Sequence, residues 1–309
     1  MLLDSKKFKD PLVTAKGEKR ASVKLNQLET LWFNTGTVCN LSCENCYIES
    51  TPTNDRLSFI SYNEVKSYLV EIKELNLGTK EIAFTGGEPF INPEIISILQ
   101  LCLEEGYETL VLTNAYHVIN RHKVKLMDLQ NRYGDKLCLR VSLDHYSKDV
   151  HEKERGENTF DQTVENIKWL NDNKFNIAIA GRSLIEESSE EALLGFQKLF
   201  NDKEITINYS SPKHFMVFPE MDTKVDVPEI TVDCWGILNK SPNEIMCSNS
   251  RMIVKRKGQQ TPKILACTLL AYDEQFEMGE SFRDVKDSVQ LNHPHCAKFC
   301  VLGGASCSV

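Results

Sequence analysis

Short apolar runs alternate with longer segments of helical periodicity between residues 28 and 210. The apolar runs are rich in β-branched and aromatic residues and end near Gly, Asn, Asp or Ser, which is typical of strands. They cover residues 28–36, 81–86, 108–114, 137–144, 175–181 and 204–210. The pattern therefore predicts six strands alternating with helices. Such an alternation favours a parallel sheet with right-handed crossovers.

The predicted helices are bounded by residues that start or stop helices. The first begins after Ser61, a favoured N-cap, and ends before Gly78. The second has Pro93 near its first turn, where proline is tolerated. Two further helical segments cover residues 159–173 and 189–200.

The chain changes character near residues 215–230, beyond which prolines interrupt regular patterns and six of the eleven cysteines accumulate. We therefore divide it into a basic N-terminal extension, a core and a cysteine-rich tail, covering residues 1–27, 28–215 and 216–309. Residues 1–24 hold seven Lys or Arg against three Asp or Glu, which predicts a solvated, partly disordered extension. The tail has too little apolar mass to fold alone, so metal ligation could supply the missing stability.

Charge and hydropathy restrict the class of protein. The net charge of −8 disfavours nucleic acid as the main substrate, because phosphate binding leaves a basic footprint. No segment approaches the roughly 20 apolar residues that cross a bilayer, and the N-terminus lacks the apolar core of a secretory signal. We therefore expect a cytoplasmic protein, whose clustered cysteines indicate metal or redox chemistry rather than disulfides. Cys102 and Cys138 stand alone and are expected to be small buried apolar residues.

Polar and cysteine-containing motifs follow the predicted strands. A cysteine triad at residues 39–46 follows the first strand, and Gly86–Pro89 follow the second. Asn114 ends the third strand, while Ser142 and Asp144 end the fourth. Because ligands bind at the carboxyl ends of parallel strands, these motifs are predicted to meet at one site.

The triad consists of Cys39, Cys43 and Cys46 in a C-x3-C-x2-C arrangement. Three thiolates at this spacing can hold three irons of a [4Fe–4S] cluster. No fourth cysteine lies nearby, so one iron would stay open to a ligand, as in reactive rather than structural metal sites. A zinc site is the alternative, although structural zinc usually takes two C-x2-C pairs.

The triad followed by Tyr47 resembles the cluster motif of radical S-adenosylmethionine (radical SAM) enzymes. Thr85–Pro89, about 40 residues further on, resembles the second signature of that family. The resemblance covers about residues 28–210 and implies a partial (β/α)6 TIM-type barrel. It also implies that SAM binds the open iron and is cleaved by one electron to methionine and a 5′-deoxyadenosyl radical. That radical then takes a hydrogen atom from the substrate.

The resemblance implies roles for residues at the strand ends. Gly86 and Gly87 would let the backbone approach the methionyl amine, with Glu88 as an anchor nearby, and Tyr47 would lean against the adenine. The other candidates could bind the ribose or the methionyl groups, and they are Asn114, Ser142, Arg155 and Arg182. The two arginines suit the methionyl carboxylate because guanidinium binds carboxylate through two hydrogen bonds. The alternatives are strand-end turn residues and surface or substrate-binding arginines. Asp144, His145 and His151 are assigned to the substrate side.

The tail resembles the auxiliary-cluster extensions of the same family, called SPASM when long and Twitch when short. Cys247 and Cys267 bracket a predicted hairpin that turns near Gly258. The thiols that would close the site are Cys296 and Cys300, with Cys307 in reserve. The spacing departs from the full SPASM pattern, and six tail thiols exceed the four that one cluster needs. We expect one auxiliary [4Fe–4S] cluster, with two clusters or a zinc knuckle as alternatives.

Cys234 lies thirteen residues ahead of Cys247 and outside the better-matched ligand set. It could ligate the auxiliary cluster. As a catalytic residue it could face the barrel mouth and donate a hydrogen atom to a substrate radical. It could also be a small buried residue beside Trp235.

These features predict an iron–sulfur oxidoreductase that abstracts a hydrogen atom, with a small molecule as the favoured substrate and a net oxidation or rearrangement as the outcome. A reducing partner such as flavodoxin or ferredoxin is expected. A peptide-modifying maturase or epimerase is the alternative. Many of these carry an extra peptide-binding domain of roughly 80–90 residues, whereas only 38 residues precede Cys39. A non-enzymatic electron carrier is a further alternative, but it would not need the SAM pocket that Gly86–Pro89 imply.

Overall fold

The computed structural model describes residues 2–219, 224–285 and 288–304. Eleven strands lie within these residues, and nine of them form one large sheet. The strands in chain order are β1 (Ser22–Lys24), β2 (Thr30–Asn34), β3 (Glu81–Thr85), β4 (Glu108–Thr113), β5 (Leu137–Ser142), β6 (Asn176–Arg182), β7 (Phe215–Phe218), β8 (Ser250–Val254), β9 (Lys263–Leu265), β10 (Glu277–Gly279) and β11 (Ser288–Gln290). The large sheet has the order β10-β9-β8-β2-β3-β4-β5-β6-β7. The seven strands from β8 to β7 in this order are each parallel to their neighbours in that set. Strands β1 and β11 form a separate antiparallel pair.

Helices connect the parallel strands, as the hydrophobic pattern predicts. They are α1 (Tyr62–Glu74), α2 (Ile95–Glu104), α3 (Lys123–Tyr133), α4 (Lys148–Arg155), α5 (Thr159–Asp172), α6 (Ser189–Asp202) and the short α7 (Cys234–Ile237). Ser61 caps α1 together with Glu64 in a reciprocal pair of hydrogen bonds, so the predicted N-terminus is confirmed. In the described part of the chain, no helix is both long and apolar enough to cross a membrane.

The sixth predicted strand is misplaced. Residues 204–210 form no strand, and the position beside β6 is taken by β7, in register from Ile179 opposite Phe215. Ile205 and Ile207 still bury their side chains. Their alternating pattern therefore reflects packing of an extended segment rather than strand pairing.

A seventh parallel strand comes from the tail. β8 pairs with β2, with Thr30 opposite Ser250, so the sheet runs from the core into the tail. β8 and β9 are antiparallel and turn through Gly258, which confirms the predicted hairpin. Gly258 has a φ of +82°, a conformation that glycine adopts without strain. The division of the chain at residues 215 and 216 remains a prediction.

The end of the N-terminal extension is not solvated as predicted. Residues 20–23 pack against the tail, where Ala21 and Val23 are fully buried. Arg20 is also buried, and its guanidinium pairs with Glu229 at 2.6 Å. A distant carboxylate thus neutralises a charge that composition alone assigned to solvent. Most of residues 2–19 are exposed.

The core lies between the sheet and its helices. Trp32, Phe33 and Phe84 are fully buried, and the rings of Phe33 and Phe84 stack with centroids 5.8 Å apart. Cys102 and Cys138 are buried in this core, as predicted.

Candidate active site

One cavity lies where the parallel strands end. Five strands contribute their last residue or the next one, since Thr85, Asn114, Ser142, Arg182 and Phe218 line it. Ten of the predicted site residues line this cavity, namely Cys39, Cys43, Cys46, Tyr47, Gly86, Gly87, Asn114, Ser142, Arg155 and Arg182. The prediction that the strand-end motifs meet at one site is therefore confirmed.

The triad occupies the loop after β2. The Cys39 Sγ accepts a contact from the backbone N–H of Leu41 at 3.5 Å, and the Cys46 Sγ accepts one from Ser50 at 3.3 Å. The pKa of the Cys39 thiol is raised to about 12, mainly by burial, while the Leu41 N–H opposes this and the neighbouring carboxylate and thiols add to it. N–H groups directed at sulfur stabilise thiolates and tune iron–sulfur clusters.

The donor set of the triad suits an iron–sulfur cluster, because it consists of three thiols that face one cavity. Among the described residues, no three His, Cys, Asp or Glu side chains are arranged as ligands of a single metal ion. The cavity beside the thiols offers room for a ligand of the open iron.

The two glycines after β3 are required first by contacts within the protein. A Cβ atom on Gly87 would lie 2.2 Å from the carbonyl oxygen of Val38, and one on Gly86 would lie 2.5 Å from that of Gly36. The Gly87 N–H donates to the Gly36 oxygen at 2.8 Å. The glycines thus let this loop press against the triad loop, a reason for glycine that the sequence did not reveal. Their approach to a methionyl amine remains a prediction.

Glu88 lies beneath the cavity rather than in its wall. Its carboxylate is buried and accepts hydrogen bonds from the backbone of Phe90 at 3.1 Å, the Thr113 hydroxyl at 2.9 Å and the backbone of Asn114 at 2.8 Å. Burial raises its pKa to about 7, although these hydrogen bonds act in the opposite direction. Glu88 therefore holds the end of β4 and positions Asn114 with its side chain, and its role as a charge or backbone anchor near SAM stays a prediction.

A buried ion pair forms one wall. Arg155 donates two hydrogen bonds to Asp144, at 2.7 and 2.8 Å, and Asp144 is 1% exposed. Burial raises the pKa of Asp144, but the charge and hydrogen bonds of Arg155, with the charge of Arg182, outweigh it, so the pKa lies below its usual value. The site thus holds a fixed carboxylate and guanidinium.

A second carboxylate, Glu154, connects this wall to the triad loop. It accepts from the backbone N–H and side chain of Asn45 at 2.9 and 2.8 Å, and it pairs with Arg182. Both arginines predicted to bind a carboxylate ligand are therefore already engaged with carboxylates of the protein. The sequence analysis missed Glu154, although it directly precedes Arg155.

The two histidines assigned to the substrate side do not line the cavity. The His145 Nε2 lies 2.9 Å from Glu187, and its Nδ1 accepts from the backbone of Ser147. His151 is fully buried against Phe160, and burial lowers its pKa to about 4. Neither histidine therefore reaches the cavity, and of that group only Asp144 lines it.

The Radical SAM superfamily profile matches residues 33–194 of the chain. This protein belongs to the radical SAM superfamily. Membership implies a [4Fe–4S] cluster and SAM as cofactors, and the triad and its cavity fit both.

Two curated relatives share part of the chain. AlbA of Bacillus subtilis (strain 168), named as an antilisterial bacteriocin subtilosin biosynthesis protein, is 32% identical over 143 residues, which are 46% of this chain and 30% of AlbA. A probable GTP 3′,8-cyclase of Saccharolobus solfataricus is 27% identical over 143 residues, which are 46% of this chain and 43% of that protein. The match thus spans less than half of either relative.

Solved structures share the fold. Streptococcus suis SuiB bound to the precursor peptide SuiA superposes with a TM-score of 0.61 at 15% identity, covering 84% of this chain and 64% of SuiB. The structure of anSMEcpe with bound AdoMet gives 0.57 at 13% identity, covering 81% of this chain and 77% of that chain. At such identities the likeness concerns the fold, and it supports the partial barrel expected of a radical SAM core.

Most of the described tail thiols lie next to the β8–β9 hairpin and in a π-helical segment. Cys247 precedes β8, Cys267 follows β9, and Cys296 and Cys300 belong to the π-helical segment Cys296–Leu302. Burial raises the pKa of Cys296, and the charges of the Cys267 and Cys247 thiols raise it further. The Cys267 Sγ accepts a contact from a backbone N–H at 3.4 Å. Cys307 lies outside the described residues.

Cys234 does not face the cavity, so the predicted role as a hydrogen-atom donor lacks the required position. It is the first residue of α7, and its Sγ is contacted by the backbone N–H of Thr231 at 3.4 Å. The barrel mouth is instead occupied by Phe218 and tail residues.

Among the apolar residues of the cavity that the sequence did not reveal are Phe218, Leu269 and Phe299. Leu269 lies two residues after Cys267, and Phe299 lies between Cys296 and Cys300. Proximity to the tail cysteines was the only available signal. Together these residues close the radical SAM cavity on the side facing the tail.

Proposed function

We propose that this radical SAM enzyme modifies a peptide by hydrogen-atom abstraction, as an iron–sulfur oxidoreductase with an auxiliary [4Fe–4S] cluster. The observation that carries the proposal is a cavity lined by the cysteine triad and also by Leu269 and Phe299, which lie next to tail cysteines in the sequence. A substrate in this cavity would lie between the two sets of thiols.

The residues divide the work around the cofactors. When bound, the triad cluster and SAM supply the one-electron cleavage that yields methionine and a 5′-deoxyadenosyl radical. Cys39, Cys43 and Cys46 would hold the iron, while Asp144 and Arg155, which are paired with each other, form the charged wall of the cavity beside them. The predicted contacts of the adenine and ribose are those of Tyr47, Asn114 and Ser142, which all line the cavity.

The tail thiols make a net oxidation feasible. Cys247 and Cys267 flank the β8–β9 hairpin, Cys296 and Cys300 belong to one π-helical segment, and thiolates are the usual ligands of such clusters. An auxiliary cluster at this position would take up the electron left on the substrate after hydrogen abstraction. An external reductant such as flavodoxin or ferredoxin would supply the electron that cleaves SAM.

Two comparisons support a peptide substrate. The name of AlbA refers to bacteriocin biosynthesis, and SuiB was solved with its precursor peptide. The cavity adds a physical argument, because Arg155 and Arg182 are already paired with Asp144 and Glu154. These two guanidiniums are therefore less available to the phosphates of a nucleoside triphosphate, although Arg140 also lines the cavity.

A small-molecule substrate, favoured by the sequence analysis, is the second candidate. The relatives named as probable GTP 3′,8-cyclases favour it. Their identity to this chain is lower than that of AlbA over an alignment of equal length.

The test uses anaerobically reconstituted protein with SAM, a reductant and extract from cells grown in D2O. We expect deuterium to appear in 5′-deoxyadenosine, and treating the extract with protease should abolish this transfer. The triple variant with Ala at Cys39, Cys43 and Cys46 is the control for chemistry at the triad. Transfer that survives protease would refute the peptide proposal and support a small molecule.

A further inference from the structure

The tail-facing side of the cavity is an apolar wall formed by Phe218, Leu269 and Phe299, which we call the tail wall. The rings of Phe218 and Phe299 stack, with centroids 5.5 Å apart and planes inclined by 24°. Phe299 and Leu269 are 2% and 5% exposed, whereas Phe218 is half-buried. Phe218 therefore presents its ring to the cavity, and Phe299 supports that ring from behind.

The position of the tail wall depends on the tail thiols. Leu269 donates its N–H to the Cys267 sulfur at 3.4 Å, and Phe299 lies between Cys296 and Cys300 in the π-helical segment. The segments that would hold the auxiliary cluster therefore also hold the wall.

Charge divides the cavity into two sides. The charged side chains Asp144, Arg140, Arg155 and Arg182 belong to the barrel, and Asp144 is joined to Arg155 and Arg182 in ion pairs. The tail wall offers no polar side-chain atom, because its members are two phenylalanines and one leucine. A charged group placed against it would lose water without gaining a partner, whereas an apolar group would gain burial.

We propose that Phe218 determines substrate specificity by packing against an apolar side chain of the substrate, preferably an aromatic one, and that Phe299 positions it. Stacked or edge-to-face rings bind more favourably than aliphatic contacts of similar area. The inference deepens the proposed function and rests on it, since the side chain is taken to belong to a peptide.

The decisive experiment measures binding of four N-acetyl amino-acid N-methylamides, those of Phe, Leu, Ala and Glu, to the reconstituted enzyme with SAM. Equilibrium dialysis gives each dissociation constant. Wild-type protein should bind the Phe probe most tightly and the Glu probe most weakly. Phe218→Leu should weaken binding of the Phe probe roughly tenfold, since one aromatic contact is lost, and should leave the affinity for SAM unchanged.

Phe215→Leu is the matched control. Phe215 lies on the same strand, but its ring packs against Phe196 and Tyr209, with centroids 5.3 and 5.1 Å away, and it does not line the cavity. This variant removes the same atoms and should bind all four probes as wild type does. Phe299→Leu tests positioning, because it should reduce the preference for the Phe probe over the Leu probe while keeping iron and SAM affinity.

Equal binding of the four probes to wild type, or equal effects of Phe218→Leu and Phe215→Leu, would overturn the inference. Weaker SAM binding in Phe218→Leu would also overturn it, since the ring would then face the cofactor. The peptide proposal fails separately. If the probes show the expected preference but deuterium transfer survives protease, the tail wall stands and the substrate is not a peptide.

Discussion

The two thiol groups of this protein are assembled in different ways. Cys39, Cys43 and Cys46 lie on one loop, and their proximity follows from their spacing. The tail thiols come together only when a hairpin folds, pairs with β2 and receives the π-helical segment, Cys296–Leu302, against it. Metal binding in the tail should therefore be coupled to global stability, whereas metal binding at the triad should mainly affect chemistry.

The electrostatic surroundings of the two groups, in contrast, are alike. Near the triad, burial raises the pKa of Cys43 and the Arg155 charge lowers it, but Arg155 is also bound to Asp144. Near the tail thiols, burial raises the pKa of Cys247 to about 11 and the charge of Arg251 opposes this. Arg251 is buried and donates to the backbone oxygens of Cys247 and Ser250 at 2.6 and 2.7 Å. Each thiol group thus has a buried arginine that favours thiolates.

The largest effect is expected from replacing Cys39, Cys43 and Cys46 together by Ala. Reductive cleavage of SAM should fall below detection, because no ligands remain for the SAM-binding cluster. Iron should fall from about eight to about four atoms per chain, the remainder being held by the tail. Chromatography of 5′-deoxyadenosine and iron analysis check this. Continued 5′-deoxyadenosine formation would refute the assignment of the triad.

The Cys267→Ala variant should affect iron binding in the tail but not iron binding at the triad. Tail iron should be lost, and the thermal midpoint should fall by roughly 5 °C or more because metal binding contributes to folding there. Cys138→Ala is the control, since it removes a buried thiol from β5 without touching either group. Zinc in place of iron in the wild-type tail would instead favour the zinc knuckle, and about twelve irons per chain would favour two auxiliary clusters.

Glu88 should make the stability of the folded protein depend on pH. Its pKa rises from 4.5 to about 7 on folding, so the folded state binds more protons between these values. Stability should then decrease as pH rises from about 4.5 to 7, by about 3 kcal/mol in the limit. Glu88→Gln cannot ionise and should show a flatter profile in denaturant titrations. If the stability of both proteins changed with pH in the same way, the hydrogen bonds to Glu88 would lower its pKa as much as burial raises it.

A smaller effect is expected from Gly87→Ala. The added methyl group would press on the Val38 carbonyl and displace the triad loop, at a cost of about 1–3 kcal/mol. The rate of SAM cleavage should fall in this variant, as should its stability. Gly236→Ala is the control, because a methyl group added at Gly236 would have no neighbouring atom within 4 Å and the φ of this residue is ordinary. Comparable losses in both variants would contradict the contact-based explanation.

The smallest effect is expected from Cys234→Ala. Its thiol contacts Thr231 and does not line the cavity, so iron content and SAM cleavage should match wild type. Stability should change by less than about 1 kcal/mol, as for a half-buried small residue. Loss of tail iron would instead show that Cys234 is a ligand, and altered products with intact iron would favour the donor role.

Local patterns explain which parts were predictable. The triad, the glycine pair, the cap at Ser61 and the hairpin around Gly258 each depend on residues within a short segment. The sixth strand failed because the alternation of Ile205 and Ile207 describes burial of side chains, whereas pairing depends on which segment reaches β6.

Contacts between distant segments explain the rest. Glu88 was predicted beside SAM, but its partners Thr113 and Asn114 draw it beneath the cavity. Arg20 was assigned to a solvated extension, but Glu229 neutralises it in the interior. In both cases the environment of a charge, and hence its role, depends on a partner far away in sequence.

The sequence by itself determined the chemistry available to this protein: three thiols spaced for a cluster, a glycine loop after the second core strand and a reserve of tail cysteines. Spacing suffices for these because neighbouring residues on a loop cannot be far apart. Only the tertiary structure decided how the charges are paired, that β8 of the tail joins the barrel sheet, and that Phe218 and Phe299 close the cavity. Those features depend on packing between segments separated by many residues, which local propensity does not encode.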